Sequence, residues 1–178
     1  MSERNTFFRS LHDVSLAAWF GGSLMGVVGL NGAAAAAKDP TERLTLSSKG
    51  WARWAPVQLG ILGTHAVGAI GMLVADKGRV ANQGGAQGNA VLKTALTVAA
   101  AVAAFWSASA GKTIAKHASE GGEGVTETGS GASPQLAAAQ RQQKVLQWVP
   151  PLLTGIVIVL TAQQGEQQRV SGGFLGRR

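Results

Sequence analysis

The chain has 178 residues, room for one domain, and only 14% of them are charged, against about 25% in ordinary soluble domains. It contains no cysteine, which excludes disulfides, thiolate zinc sites, iron–sulfur clusters and thiol catalysis. The net charge of +7 would suit nucleic acid, but the basic residues flank long uncharged runs and no Arg-rich helix with interleaved aromatics is present. The expected partner is therefore a lipid bilayer and not nucleic acid.

Four apolar segments stand out, at about residues 11–37, 55–75, 90–110 and 145–162. Each approaches the ~20 residues that a helix needs to cross a ~30 Å hydrocarbon core. The predicted fold is all-α: a single membrane domain over residues 1–178, built as an up-down-up-down bundle of four transmembrane helices. Two other readings weigh less. Arg4, Arg9 and the apolar run after them resemble a cleavable signal peptide, but the run exceeds the usual 7–15 residues. A soluble bundle would not leave such lengths without charge.

The first segment carries His12 and Asp13 at its start and a Gly22/Gly26 GxxxG pair. After it, Asp39-Pro40-Thr41-Glu42 reads as an N-cap, a proline in the first turn and a capping-box glutamate. A short interfacial helix is expected to follow and to end near Gly50. The second segment offers Gly60, Thr64 and Gly68 at four-residue spacing, carries His65 midway and closes on Asp76. The third has Lys93 in its first turn, then the ladder Ala95, Ala99, Ala103, Ser107 and Gly111. Small residues at that spacing let helix backbones approach closely in lipid, where no hydrophobic drive operates between spans; compositional bias from a GC-rich genome is the alternative. Residues 117–133, rich in Gly, Ser, Thr and Glu, are expected to form a flexible loop. Ser133-Pro134 can start a helix that feeds the fourth span, which Pro150-Pro151 should kink or confine to the interface. The tail 163–178 is expected to be disordered.

Tryptophans support this layout. Trp51, Trp54, Trp106 and Trp148 all fall on one side of the membrane if the spans alternate, as an interfacial aromatic belt requires. Orientation is weakly determined: seven Lys and Arg lie on the side bearing the termini and eight on the other, and the leaning is toward cytoplasmic termini.

Ionisable groups at membrane depth are costly, so each is a candidate site. His65 shares a helical face with Gln58 and a depth with Ser23 and Thr154. It reads either as a neutral imidazole hydrogen-bonded to one of these hydroxyls or as a haem, metal or proton-relay ligand. His12, Asp13, Asp76 and Lys93 share another depth. An Asp13–Lys93 ion pair would explain both charges there, and snorkelling of Lys93 is the plainer account. On this layout His12 and His65 differ by about ten residues in depth, ~15 Å, which disfavours a bis-histidine haem or copper site. His117 falls in the third loop and reads as solvated. Ala110-Gly111-Lys112-Thr113 lacks the first glycine of a P-loop, and no Ser-His-Asp set or HExxH is present.

Leu11-His12 with Ala17-Ala18-Trp19-Phe20-Gly21-Gly22 resembles the first-helix signature of small four-helix membrane families. Among these are the copper-resistance D family and the HemJ-type protoporphyrinogen oxidases of the haem pathway. The second resemblance implies a functional pair corresponding to His12 and Lys93. Across the whole chain, Leu11-His12-Asp13, Gly50-Trp51-Ala52-Arg53-Trp54, Lys144-Val145-Leu146-Gln147-Trp148 and Gln164-Gly165-Glu166-Gln167-Gln168 resemble an uncharacterised actinobacterial family of small integral membrane proteins, which implies an inner-membrane location and no known activity. The function expected is an accessory, scaffolding or self-associating component of a membrane complex, with another membrane protein or a second copy as partner and no cofactor. The alternative is a redox protein binding haem b or a metal through His12 and Lys93, or through His65. A small-solute transporter ranks third.

Overall fold

In the computed structural model, residues 4–75 and 84–170 are described, and Asp76 lies outside them. Among the described residues there are six α-helices: α1 (Arg4–Met25), α2 (Asn31–Ala35), α3 (Pro40–Ala75), α4 (Gly84–Lys116), α5 (Pro134–Leu146) and α6 (Val149–Val170). A single π-turn, Gly26–Leu30, joins α1 to α2, so the two act as one rod. Four rods are long and apolar enough to cross a membrane, which makes the chain an all-α, multi-pass membrane protein of four spans. Around the bundle the order is α3, α1, α6, α4, with α5 against α4 and the α3–α4 contact thinner than the α1–α3, α1–α6 and α4–α6 contacts.

Local chemistry starts the helices where the sequence suggests. The Asp39 carboxylate accepts bonds from the Thr41 backbone N–H and hydroxyl, both at 2.8 Å, and these hold its pKa below the usual carboxylate range. The Ser133 hydroxyl accepts from the Leu136 N–H at 3.2 Å, with Pro134 opening α5.

One element departs in a way that moves everything near it. No separate interfacial helix ends at Gly50: α3 runs unbroken from Pro40, through Gly50 and Pro56, to Ala75. Gly50 stops nothing because its missing side chain makes room for the next rod, where a Cβ would stand 2.5 Å from Leu30 Cδ1. At 36 residues α3 rises about 54 Å, ~24 Å more than the hydrocarbon core, so its first turns stand outside the bilayer.

Those turns belong to a folded cap. Leu44, Ile114, Leu136 and Ala139 form a buried cluster joined by Ala118 and Ala132. The segment 117–133, expected to be flexible, is held by groups from elsewhere in the chain. Arg43 donates through Nη1 to the carbonyls of Gly122 at 3.1 Å and Glu123 at 2.8 Å, and through Nε to Ala37 at 2.7 Å. The fully buried Gln140 donates to the carbonyls of Val125 at 3.2 Å and Glu127 at 3.3 Å. Gly121 takes φ +74°, open to glycine, and packs on Pro40. His117, expected to be solvated, bonds Glu120 at 2.6 Å.

The fourth span also differs from expectation. Instead of kinking a helix, Pro150-Pro151 occupy the first turn of α6, after a break at Gln147–Trp148, where a missing N–H costs nothing. Residues 163–170, expected to be disordered, continue α6 to Val170, and the rest of the tail lies outside the described residues.

Candidate functional site

α1 presents Arg9, His12, Asp13, Leu16 and Ala17 along one stripe, at the i, i+3, i+4, i+7, i+8 spacing of a single helical face. That stripe meets Met72 of α3, Lys93 of α4 and Ile158, Thr161 and Ala162 of α6 around a cleft of about 370 Å³. His12, Asp13 and Lys93 are thus brought to one place, as their shared depth suggests, and Arg9 joins them.

His12 forms the cleft's rear wall. Its ring is buried and its Nδ1 lies 2.9 Å from Asp13 Oδ1, on the next residue. Behind it stands His65, 3% exposed, with ring centroids 4.3 Å apart and planes at 35°. The separation of ~15 Å in depth expected from the sequence is therefore wrong. The cause is register. Gly68 packs on the His12 backbone, Gly71 on Phe8, Gly22 on Trp54 and Gly26 on Trp51, so position 12 lies level with positions 65–68. Assigning residues 38–54 to a connection slid α3 by about two turns; the true connection is only the short step between Ala35 and Pro40.

The same shift changes the partners of His65. Its Nδ1 lies 3.4 Å from the Ser15 hydroxyl and 3.4 Å from the His12 carbonyl, and not against Ser23 or Thr154. Thr154 donates instead to Pro150 O at 2.7 Å within its own helix, and Gln58 accepts from Trp54 Nε1 at 2.7 Å. The edge of Trp19 faces His65 with centroids 6.0 Å apart, and the Trp19 indole N–H is buried without a hydrogen-bond partner.

A macrocycle does not fit between two imidazoles 4.3 Å apart, so His12 and His65 cannot be opposite axial ligands of one haem. Among the described residues no group of three His, Cys, Asp or Glu converges to hold a metal. What the cleft offers is one imidazole edge, one carboxylate, two cationic side chains and an apolar wall.

The packing residues divide. Gly22, Gly26 and Gly68 accommodate neighbours, while Gly60 and Gly111 have nothing within 4 Å of a virtual Cβ. On α4, Ala103 is buried and Ser107 accepts from Gln143 Nε2 at 2.8 Å, but Ala95 and Ala99 are exposed. A four-residue ladder drifts by about 40° per step on a 3.6-residue helix, so it cannot stay in one seam over four steps.

Sequence reasoning missed a second polar centre, where the rods enter the cap. Asn31 Oδ1 accepts from Ser47 at 2.8 Å and from Trp51 Nε1 at 2.9 Å, and Asn31 Nδ2 donates to Gln147 at 3.0 Å. The available signal was Asn31 itself, the lone amide of the first apolar run. The π-turn just before it, a feature common where a helix is re-aimed for a purpose, sets where its side chain points.

Compared with family models, with curated proteins and with solved structures, the chain gives no match.

Proposed function

We propose that the protein is an accessory or scaffolding component of a membrane assembly, which joins copies of itself or another membrane protein through the outer faces of α3 and α4. One observation carries this reading: the chain covers very little of those two spans. In each, 11% of the apolar window is buried, against 33% for the first span and 22% for the last. On the uncovered faces lie Gly60, Gly63, Ala95 and Ala99, small residues that would let another helix backbone come close. The test is mass measurement by light scattering after extraction in mild detergent, with crosslinking in the native membrane. An oligomer or complex that Gly60→Leu and Ala99→Leu weaken is expected. A lone monomer in both assays defeats the reading. The same proposal places the chain in the inner membrane with cytoplasmic termini. Because the chain has no cysteine, single cysteines at Ser2 and Ser119 report the two sides directly to an impermeant maleimide.

A second reading follows from the resemblance to the HemJ-type family and is favoured by the meeting of His12 and Lys93 at one cleft. It makes the protein a haem- or metal-binding redox protein. His12 would supply one axial imidazole, and Lys93 with Arg9 would pair with propionates. A Soret band that His12→Ala abolishes supports it; purified protein without such a band, before and after adding haem, removes it.

A further inference from the structure

We propose that the hydrogen-bonded centre around Asn31 is an alignment lock. Its bonds to Ser47, Trp51 and Gln147 select one axial register of the first rod against its neighbours. They thereby keep His12 level with His65, about 28 Å away along the rod. The inference stands whatever partner or cofactor the protein takes.

Apolar packing between the first rod and α3 repeats every turn and leaves the register open. Toward the cap, Gly22 packs on Trp54 and Gly26 on Trp51; toward the other end, Gly68 packs on His12 and Gly71 on Phe8. A slip of one turn sets Gly26 on Trp54 or Gly22 on Trp51, and Gly71 on His12 or Gly68 on Phe8. Each slipped contact again seats a ring against a glycine. Lipid solvates the apolar surface left uncovered as well in one register as in the next. The buried cluster of the cap joins α3 to α4 and α5 and takes nothing from the first rod. Arg43 reaches the Ala37 carbonyl, only six residues away, which holds the turn. The alanines at 33–37 present the same surface when they gain or lose a turn.

Asn31 breaks this repetition. It is 7% exposed, and its Oδ1 accepts from Ser47 at 2.8 Å and Trp51 Nε1 at 2.9 Å, while its Nδ2 donates to Gln147 at 3.0 Å. A one-turn slip carries the amide toward Leu44, whose side chain has no polar group, or toward Trp54, whose Nε1 already donates to Gln58 at 2.7 Å. In both directions buried polar atoms lose partners, a cost the glycine contacts do not impose. Fixing the register of otherwise uniform helices is the best attested use of a lone buried asparagine. A slip would also leave His12 level with about positions 61–64 or 69–72, away from His65.

The experiment uses the full chain in nanodiscs, where the absence of native cysteine lets two sites be labelled cleanly. Spin labels on Phe7→Cys and Arg53→Cys, both exposed, give a distance that runs mostly along the rods and is read by double electron–electron resonance. The labelled parent should give one population. Asn31→Leu should add a second, displaced by about 5.4 Å, the pitch of one turn. The triple variant Asn31→Leu/Ser47→Ala/Gln147→Leu removes the polar partners together, so it should fold even where Asn31→Leu alone does not, and it should show the same second population. Gln58→Leu breaks a bond made within one helix and should keep the single population. One undisplaced population in the triple variant, or a second population in Gln58→Leu, would overturn the proposal.

Discussion

Replacing Gly68 with alanine tests the register on which the site depends. A Cβ at this position would stand 2.6 Å from the His12 backbone nitrogen and 2.9 Å from its Cα. Both are atoms of a packed helix and cannot swing aside, so α1 and α3 must separate by several tenths of an ångström along their main contact. Overpacking of this kind costs about 1–3 kcal/mol, and alanine recovers about 0.5–1 kcal/mol over glycine in a helix interior, leaving a net loss of about 0.5–2 kcal/mol. Gly21, on α1, has nothing within 4 Å, so Gly21→Ala keeps only the propensity gain and should be neutral or slightly stabilising. Equilibrium unfolding of both variants in mixed micelles, followed by tryptophan fluorescence, reads the contrast. If Gly68→Ala proved as stable as Gly21→Ala, His12 and His65 would not be neighbours in the membrane, and the cleft would have to be redrawn.

Two further predictions concern the cap. Gln140→Leu leaves the buried carbonyl of Val125 without its donor, at about 1–3 kcal/mol. Glutamate-specific proteolysis at Glu123 and Glu127 should accelerate about fivefold or more, whereas an unchanged cleavage rate would mean the segment opens without releasing Gln140. Glu120 accepts the Ser133 N–H at 2.7 Å, and this bond, followed by the His117 contact, holds its pKa below the ordinary 4.5. A depressed folded-state pKa stabilises above the ordinary value and loses that contribution as pH falls through the depressed one. Hydrogen exchange in residues 117–133, corrected for intrinsic rates, should therefore rise on acidification below about pH 4.5, and Glu120→Gln should flatten that rise.

The four spans were legible because burial in lipid is written in composition: a helix of that length without charge is poorly solvated by water along its whole surface and is at home in hydrocarbon. Both proline-assisted helix starts were legible for a similar reason, since Asp39 and Ser133 act on N–H groups two or three residues away. What failed was non-local. Gly50 looks like a stop when only its neighbours in sequence are considered, and its role is to admit Leu30 from another rod. That single misreading displaced His65 relative to His12 and hid the histidine pair. The order of residues 117–133 was equally hidden, because it comes from Arg43 and Gln140 and not from the segment's own polar, glycine-rich composition. Of the cleft, the shared depth of His12, Asp13 and Lys93 could be read. The contribution of Arg9 could not, since it needed the stripe on α1 to be seen facing α4 and α6.

The Arg43 guanidinium grips the connection after the first rod and the connection after α4 at once. Spans one and two are therefore latched to spans three and four at the water-exposed end, by a buckle that works without any packing inside the lipid. For anyone engineering the protein, residues 121–128 are the wrong place for an epitope or a fluorescent reporter, although a hydropathy plot would recommend them as slack. An insertion there would spring the buckle and loosen the hold between the two hairpins at that end.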